Sequence, residues 1–326
     1  MGRYLRNCWY MAGWTEEVED DGLSRWVLGR RSFLCRQSDG SVAALLDRCP
    51  HRFAPLSLGT REGDTIICGY HGLRFAADGR CVHNLFVDQI PPGATVPRFV
   101  AHERDGIVWL WGGNAETADT TLIPDFSFIP DGPTNRSIRG YTLMHANYEY
   151  GTDNLMDLSH IEFVHKGSFA GQNEVIPDGD TLHSSWRMPG ISPPSMARGQ
   201  VSEDALVDHW LDMRWNAPAS MRLEVGVCPH QAPRQDGFSA LQAHILTPAT
   251  HDETHYLWSS GRTNDLDDAE VDDALHRFFA QAFDFEDKPM IEAAYANVRG
   301  RDVWQEKPLF LGIDAGGTRA RGQLKR

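Results

Sequence analysis

The sequence predicts an α+β protein of two domains, in which an antiparallel β domain precedes a larger domain of mixed type. Short apolar runs separated by Asp-Gly pairs fill roughly the first 115 residues, and this pattern is typical of β hairpins. A second β-rich stretch lies at about 187–263, where residues 221–227 alternate between apolar and other residues. After it, one amphipathic pattern over residues 267–298 indicates a long helix.

The first domain is expected to consist of short strands. Its apolar runs predict strands at residues 26–28, 32–35, 42–46, 65–68 and 107–111. Gly112-Gly113-Asn114 precedes a polar stretch that contains proline, which is typical of a connection between domains. We therefore expect one domain at residues 1–113 and the other at residues 114–326.

Helices are expected on both sides of the second β-rich stretch. The first is predicted at about 153–165, and the second at 267–298 with a kink at Pro289. The Gly- and Arg-rich tail that follows Gly312 is expected to be loosely ordered. Helical spacing assigns seven residues to the buried face of the second helix, namely Val271, Ala274, Leu275, Phe278, Phe279, Ala282 and Phe285.

Composition narrows the class of protein. Of the 326 residues, 41% are apolar and 23% are charged, as in ordinary globular proteins. The formal net charge of −14 argues against a nucleic-acid-binding surface. We expect no membrane span and no secretion signal, because no apolar run approaches ~20 residues and the first residues lack an apolar core. Six cysteines in so long a chain do not form a disulfide framework, which favours a cytoplasmic protein.

Two short cysteine–histidine arms carry the clearest chemical signal. Cys49 and His51 form one arm, Cys68 and His71 form the other, and sixteen residues separate His51 from Cys68. Two thiolates on one iron and two imidazoles on the other are the ligands of a Rieske [2Fe–2S] cluster. We expect both arms at the tips of hairpins. A structural zinc site is the alternative, but it fits less well, because zinc fingers usually pair cysteine with cysteine and histidine with histidine.

A second candidate metal site lies in the first predicted helix of the second domain. Asn154, Asp157 and His160 recur at intervals of three and therefore share one helix face. His165 lies five residues beyond His160, so the helix must end or become irregular if both histidines bind one metal. Two histidines and one carboxylate form the facial triad of non-haem Fe(II) oxygenases. A lone histidine pair is more often a core or surface feature than a pair of ligands, but its occurrence after a Rieske motif favours the ligand interpretation.

The carboxylate of such a triad must come from another element. Asp287 on the predicted C-terminal helix is the best candidate, and Asp284 and Glu286 compete with it. Spacing alone does not choose among them, because the chain has 45 acidic residues and most are expected on the surface.

The order of these motifs resembles the oxygenase components of Rieske non-haem iron oxygenases, in the phthalate-dioxygenase-like branch that includes the vanillate and dicamba demethylases. The resemblance implies an antiparallel β Rieske domain and a helix-grip catalytic domain with a curved antiparallel sheet. It also implies a homotrimer that receives NADH-derived electrons from a flavin- or ferredoxin-type reductase. It covers essentially the whole chain through the segments NCWYMAGW, ALLDRCPHRFAPLSLG, CGYHGL, DNLMDLSH, AHILTP and GIDAGG.

The same resemblance assigns roles to single residues of the second domain. It implies that His160, His165 and Asp287 hold mononuclear Fe(II), with O2 as the co-substrate. Asp157 would bridge two subunits, accepting hydrogen bonds from a Rieske histidine of one subunit and from His160 of the other. Asn154 and Asp157 are therefore the candidate catalytic residues beside the iron.

Substrate contacts are predicted at three positions. His244 matches a substrate-contacting histidine of this branch, although a sheet histidine with a backbone partner is an equal interpretation. Leu223 stands where the dicamba demethylase of this branch has a polar residue, so the two pockets are expected to differ. Phe278 either lines the pocket or packs in the core. We expect hydroxylation or O-demethylation of a small aromatic substrate, such as a methoxybenzoate.

Two other functions fit parts of the sequence. A ring-hydroxylating or angular dioxygenase acting on a phthalate- or phenoxybenzoate-like substrate would use the same metal ligands. A Rieske electron-transfer protein would need only the first domain, and the pair His160 and His165 argues against it.

Overall fold

The structure, a computed structural model, describes residues 4–165, 171–194, 197 and 200–325. The chain divides into two compact units. The first comprises Met1–Ile123 with Thr247–Thr250, and the second comprises Pro124–Leu246 with His251–Arg326. The first unit thus continues past residue 113, and the domain boundary placed there stays a prediction.

Antiparallel sheets make up the described part of the first unit, and their strands follow the predicted apolar runs. The sheet orders are β1-β11-β10, β2-β3-β4-β9 and β5-β6-β7-β8, with the strands β1 (Trp9–Trp14), β2 (Leu23–Val27), β3 (Arg30–Arg36), β4 (Val42–Leu46), β5 (Thr60–Glu62), β6 (Thr65–Ile67), β7 (Arg74–Phe75), β8 (Cys81–His83), β9 (Arg98–Phe99), β10 (Ala101–Arg104) and β11 (Ile107–Trp111).

These sheets position the two cysteine–histidine arms differently. β6 and β7 pair in antiparallel fashion, so Cys68 and His71 lie at a hairpin tip, as expected. Cys49 and His51 follow β4, which pairs with β3 and β9, whereas the next strand, β5, belongs to another sheet. This arm is therefore a connection between sheets, and its expected place at a hairpin tip is wrong.

One seven-stranded antiparallel sheet forms the second unit's framework, which confirms the α+β architecture with a helix-grip catalytic domain. Its order is β12-β18-β17-β16-β15-β14-β13, and its strands are β12 (Arg136–Met144), β13 (Gln172–Asp178), β14 (Thr181–Ile191), β15 (Val207–Asn216), β16 (Ser220–Pro229), β17 (Phe238–Pro248) and β18 (Thr254–Arg262).

Helices flank this sheet in the sequence. They are α1 (Tyr148–Met156), α2 (Ile161–Val164), α3 (Ala269–Ala280), a π-helical segment (Gln281–Asp287), α4 (Lys288–Val298) and α5 (Ala315–Leu324). Short 3-10 turns occupy Thr15–Glu17, Leu56–Leu58, Ala115–Thr117, Thr120–Leu122, Leu158–His160, Arg234–Asp236 and Val303–Glu306.

The helix predicted at 153–165 is two helices in the structure. The side chain of Asn147 caps α1 by accepting a hydrogen bond from the backbone N–H of Glu149 at 3.0 Å. The helix ends at Met156, because Asp157 leaves the helical region (φ −96°, ψ 82°). Hence residues 154–160 do not share one uninterrupted helix face. α2 then ends at Val164 with His165 as its C-cap, which is the helix end that the five-residue spacing requires.

The helix predicted at 267–298 contains a π-helical segment in its middle, which the sequence pattern did not reveal. This segment changes which side chains face the core, because a wider turn moves the following residues around the axis. Phe283 is buried and Phe285 is 70% exposed, so the buried position predicted for Phe285 is wrong. Pro289 lies at the start of α4, where a missing N–H costs little, and the irregularity precedes it.

The C-terminal tail forms a helix, α5, and the loose order predicted for it is wrong. Arg321 on this helix is 4% exposed, and its Nε donates to both carboxylate oxygens of Asp153 at 2.9 and 2.8 Å. Its Nη1 donates to Glu149 at 2.5 Å, and the guanidinium lies over the Tyr150 ring at 4.9 Å. α5 therefore packs on α1 through a buried cation and two carboxylates.

A single apolar cluster joins the helices of the second unit to its sheet. Tyr148 and Met156 of α1, Phe279 of α3 and Ile291 of α4 belong to the same buried cluster as Trp215 of β15. None of the helices in the described part of the chain combines the length and the hydropathy that a membrane span requires.

Candidate metal centres and active site

The two cysteine–histidine arms share one backbone conformation. In each arm the carbonyl of the cysteine accepts a hydrogen bond from the N–H four residues later, Phe53 to Cys49 at 3.0 Å and Gly72 to Cys68 at 2.9 Å. That fourth residue has a positive φ in both arms, 61° at Phe53 and 68° at Gly72. Phe53 thus holds a conformation that costs a bulky residue free energy, as backbones at functional sites often do.

Close backbone packing brings the arms together. A Cβ atom added at Gly59 would collide with the carbonyl oxygen of Ile67, directly before the second arm, so only glycine fits there. The imidazole rings of His51 and His71 lie 4.5 Å apart at an angle of 65°.

The thiols of the arms form a buried pair. Cys49 and Cys68 are 1% and 2% exposed. Burial raises the pKa of the Cys49 thiol to about 11, and the neighbouring Cys68 thiol adds to the rise. Metal ligation would release such protons, since a thiolate is the ligand. Two adjacent sulfurs and two adjacent imidazoles are the donor set that a Rieske cluster requires, so this site fits the cluster.

In the second unit, His160, His165 and Asp287 converge. One ligand atom from each lies within 4.8 Å of the others, so among the described residues these three form a group that could hold a metal ion. The Nε2 atoms of His160 and His165 face Asp287, each 3.5 Å from one of its carboxylate oxygens. Asp287 is 3% exposed. Two imidazole nitrogens and one carboxylate fit the facial triad of non-haem iron.

The Nδ1 atoms of these histidines have partners on the outer side. That of His160 lies 2.5 Å from the backbone carbonyl oxygen of Asp157, and that of His165 lies 2.7 Å from the Glu286 carboxylate. Burial alone would lower the pKa of His165. The carboxylates of Asp287 and Glu286 have the larger effect, so the pKa of His165 is raised overall. Each Nδ1 can therefore donate outward, which leaves Nε2 free to bind a metal.

The other predicted residues lie around this group. The Asp157 carboxylate accepts hydrogen bonds from the N–H and hydroxyl of Ser159 at 3.1 and 2.5 Å. The prediction of a hydrogen bond from His160 to the Asp157 carboxylate is therefore wrong within one chain. The turn after α1 directs the backbone carbonyl of Asp157, and not its side chain, to the His160 ring. Asn154 Nδ2 donates to Asp287 at 3.2 Å. Asp284 accepts from Thr142 at 2.5 Å, away from the histidines.

A cavity of about 1460 Å³ leads to the three converging residues. Its lining includes all three predicted substrate contacts, His244, Leu223 and Phe278, although Phe278 is 55% exposed. The volume exceeds the ~300–1,000 Å³ of common ligand pockets, so a small aromatic molecule would fill only part of it.

His244 is paired with a residue that the sequence did not indicate. Its Nδ1 lies 2.7 Å from the Tyr256 hydroxyl, while its Nε2 is buried without a hydrogen-bond partner among the described residues. Burial lowers the pKa of His244 to about 4, so the ring is neutral at neutral pH. The side-chain partner is Tyr256 and not the backbone, which was the alternative interpretation.

Phe283 and Glu286 are also site residues that the sequence analysis did not place. Phe283 contacts the rings of His244 and Tyr256, with centroids 5.6 and 5.2 Å apart. The spacing of Phe279, Phe283 and Asp287 at intervals of four was a usable signal for Phe283. Glu286 was considered only as a ligand.

Comparison with known families decides the class of the protein. Residues 8–97 match the Rieske [2Fe-2S] domain, and residues 144–326 match the vanillate O-demethylase oxygenase C-terminal domain. The chain belongs to the Rieske non-haem iron oxygenases. This chain is 37% identical in sequence to the oxygenase component of chloroacetanilide N-alkylformylase from Rhizorhabdus wittichii. The comparison covers 99% of this chain and 95% of the relative.

Two further comparisons cover nearly the whole oxygenase. The oxygenase component of dicamba O-demethylase from Stenotrophomonas maltophilia is 36% identical, over 99% of this chain and 97% of the relative. The crystal structure of dicamba monooxygenase bound to dicamba superposes with a TM-score of 0.90 at 36% identity, covering 98% of this chain and 96% of that one.

These matches confirm several predictions. The oxygenase uses a Rieske [2Fe–2S] cluster, mononuclear non-haem iron and O2, and it depends on a separate electron-donating component. The zinc-site and electron-transfer alternatives are therefore not supported. The assignment of ligands to single residues stays a prediction.

Proposed function

We propose that the oxygenase hydroxylates or O-demethylates a small aromatic substrate bound in the cavity of the second unit. The observation that carries this proposal is the lining of that cavity, which joins His160, His165 and Asp287 to an apolar and aromatic wall. Phe279 and Phe283 of this wall are stacked, with centroids 5.4 Å apart. An aromatic ring held there would present its substituents to the metal-binding group.

Each metal centre is assigned to the residues that converge in its unit. His160, His165 and Asp287 hold the mononuclear iron, and the two arms hold the cluster through Cys49, His51, Cys68 and His71. When bound, the cluster supplies electrons and the iron activates O2. The outward bonds from Nδ1 of His160 and His165 fix the ring orientation, and Asn154 holds the Asp287 carboxylate by donating to it.

The overall reaction of a methoxy substrate balances as follows. One O2, two electrons and two protons convert the methoxy group to a hydroxymethyl ether and release one water. The hydroxymethyl ether then breaks into a phenol and formaldehyde. We infer that the electrons come from NADH through a flavin- or ferredoxin-type reductase, that the subunits form a homotrimer and that the protein is cytoplasmic.

Product analysis tests this proposal. The holoenzyme, NADH, O2 and a surrogate reductase are incubated with methoxybenzoates, methoxybenzamides and anisoles, and formaldehyde and phenols are quantified. We expect formaldehyde and a phenol in equal amounts from at least one substrate, and none with His160→Ala. A cis-diol without formaldehyde would instead identify a ring dioxygenase and contradict the proposal.

A further inference from the structure

A buried pair of a histidine and a tyrosine lies in the sheet of the second unit, on its two strands β17 and β18. His244 is 3% exposed and Tyr256 is 6% exposed, and Nδ1 of the histidine lies 2.7 Å from the tyrosine hydroxyl. Of these two side chains, His244 lines the cavity that also reaches Asp287. Tyr256 can therefore act on a bound ligand through the histidine.

The hydrogen bond between the two rings has a favoured direction. A phenol hydroxyl is a stronger acid than the N–H of a neutral imidazole, and an imidazole nitrogen is a stronger base than a phenol oxygen. The bond is therefore strongest when the Tyr256 hydroxyl donates its proton to Nδ1 of His244.

Both groups are in the neutral forms that this direction requires. Burial raises the pKa of the Tyr256 hydroxyl well above its ordinary value, and burial lowers the pKa of His244 to about 4. A metal cation held by Asp287 would lower the pKa of His244 further, because like charges repel. Occupation of the metal site thus leaves the direction of the bond unchanged.

The other ring nitrogen of His244 then carries the proton. A neutral imidazole has one N–H, so a ring that accepts at Nδ1 donates at Nε2. Nε2 of His244 is buried and has no hydrogen-bond partner among the residues that the structure describes. Buried donors are rarely left unpaired. Since the ring lines the cavity, an acceptor atom of a bound ligand can supply the missing bond.

We propose that Tyr256 is a positioning residue, whose hydroxyl holds His244 with Nε2–H as the donor to an acceptor atom of the substrate. The inference rests on the proposed function and adds the group that the pocket recognises, such as a carbonyl oxygen on the aromatic ring. Phe283 supports the same orientation, because its ring meets that of His244 edge-on, with centroids 5.6 Å apart at 83°. A donor that is already oriented loses little entropy when the substrate binds.

Binding of two uncharged ligands of nearly the same shape tests the donor without turnover. Calorimetric titration of the oxidised holoenzyme, in the absence of reductase, compares para-methoxyacetophenone with para-isopropenylanisole. The second ligand has a CH2 group in place of the ketone oxygen and cannot accept a hydrogen bond. We expect the ketone to bind at least about fivefold more tightly than the alkene.

Two variants locate the cause of this preference. His244→Leu should abolish it, and a preference that persists in this variant would place the recognition of the oxygen elsewhere and overturn the proposal. Tyr256→Phe keeps the ring and removes the hydroxyl, so we expect the ratio of the two affinities to fall at least about threefold. A general loosening of the pocket would weaken both ligands alike and leave that ratio unchanged.

Tyr141→Phe is the matched control for Tyr256→Phe. Tyr141 of β12 and His255 of β18 form a second pair in the same sheet, with the hydroxyl 2.9 Å from Nδ1, and neither is among the described residues that line the cavity. We expect this variant to keep the affinity ratio of the unaltered protein. An equal loss in the control, or an unchanged ratio in Tyr256→Phe, would contradict the positioning role. Equal binding of both ligands by the unaltered protein, or binding of neither, also rejects it.

The two proposals can fail independently. If the ketone is preferred through Tyr256 but neither methoxy compound yields formaldehyde with NADH and the reductase, the proposed demethylation fails and the positioning role stands. If both compounds yield formaldehyde and bind equally well, the proposed function stands and the inference falls.

Discussion

His160 and His165 hold their Nδ1 atoms against acceptors of different charge. The acceptor for His160 is the neutral carbonyl of Asp157, and that for His165 is the carboxylate of Glu286. A carboxylate partner makes an imidazole a stronger donor to a metal than a carbonyl partner does. At the scale of single residues, Glu286 should therefore strengthen iron binding through His165 without being a ligand itself.

Glu286→Gln tests this role. We expect about 10–100-fold weaker iron binding, because the amide keeps the size of the side chain and removes its charge. Iron is titrated back into iron-depleted protein, and the visible spectrum of the cluster reports whether the first unit is intact. Asp287→Ala should abolish binding.

Asp284→Asn is the matched control for Glu286→Gln, since Asp284 lies in the same π-helical segment but accepts its bond from Thr142. We expect it to keep the native iron affinity. Equal losses in both variants would mean that any charge change in the segment weakens the site, and would refute a specific action through His165.

Sequence reasoning located those site residues that lie close together along the chain. Both cysteine–histidine arms and the pair His160 and His165 are short motifs whose spacing limits their geometry. Asp287 lies far from the histidines in sequence, so only family resemblance selected it. The atom of Asp157 that meets His160 could not be predicted, because it depends on the backbone angles of one turn.

At the scale of elements, α5 holds α1 in place beside the metal-binding residues. α1 carries Asn154 and leads into the turn that presents His160, while α5 buries Arg321 against Asp153, the neighbour of Asn154. Removing one partner of a buried ion pair costs about 3–5 kcal/mol. The fit of α5 should therefore affect stability and iron occupancy together.

Two glycine substitutions in α5 test this coupling. A Cβ at Gly316 would lie 2.7 Å from the carbonyl oxygen of Met156 at the end of α1, whereas a Cβ at Gly322 would meet nothing within 4 Å. We expect Gly316→Ala to lower the free energy of unfolding by about 1–3 kcal/mol and to reduce iron occupancy. Gly322→Ala should raise stability by about 0.5–1 kcal/mol through helix propensity. Thermal unfolding and iron analysis measure both, and similar behaviour of the two variants would contradict the role of α5.

Elements were predictable where local pattern decides them. β4 and β11 match their predicted bounds, since runs such as Ile107–Trp111 are buried over their whole length. The π-helical segment and α5 were not predictable. The π-helical segment bonds to residues far away in sequence, Thr142 through Asp284 and His165 through Glu286. α5 is a Gly-rich helix of low intrinsic propensity that packs closely on α1.

At the scale of the whole molecule, the residues proposed for each metal centre lie within a different unit of the chain. The arms belong to the first unit, and His160, His165 and Asp287 belong to the second. Because the two sets of residues lie in separate units, we expect that the cluster or the iron can be lost while the other is retained. The change of pattern along the sequence indicated two units. Electron transfer from the cluster to the iron cannot be read from a single chain, because it is proposed to take place between subunits of a trimer.

Mixed trimers test whether electrons pass between subunits. Asp157→Asn should keep both metal centres and a reducible cluster, because the backbone carbonyl that meets His160 is unchanged. It should lower electron passage to the iron by orders of magnitude, because an amide replaces the carboxylate that is proposed to accept from a Rieske histidine of the neighbouring subunit. Cys68→Ser should lose the cluster and keep the iron, because a hydroxyl is a poor replacement for a thiolate. Neither variant alone should turn over substrate.

When the two variants are co-assembled, an intact cluster of an Asp157→Asn chain can face a Cys68→Ser neighbour whose own Asp157 and iron site are intact. In a head-to-tail trimer that contains both variants, one interface of the three, or about a third, is of this productive kind. We expect recovered product formation of that order, measured on trimers isolated through two different affinity tags. Because each chain carries one defect, recovery can arise only from transfer across a subunit interface. Mixed trimers without activity would favour a path within one chain.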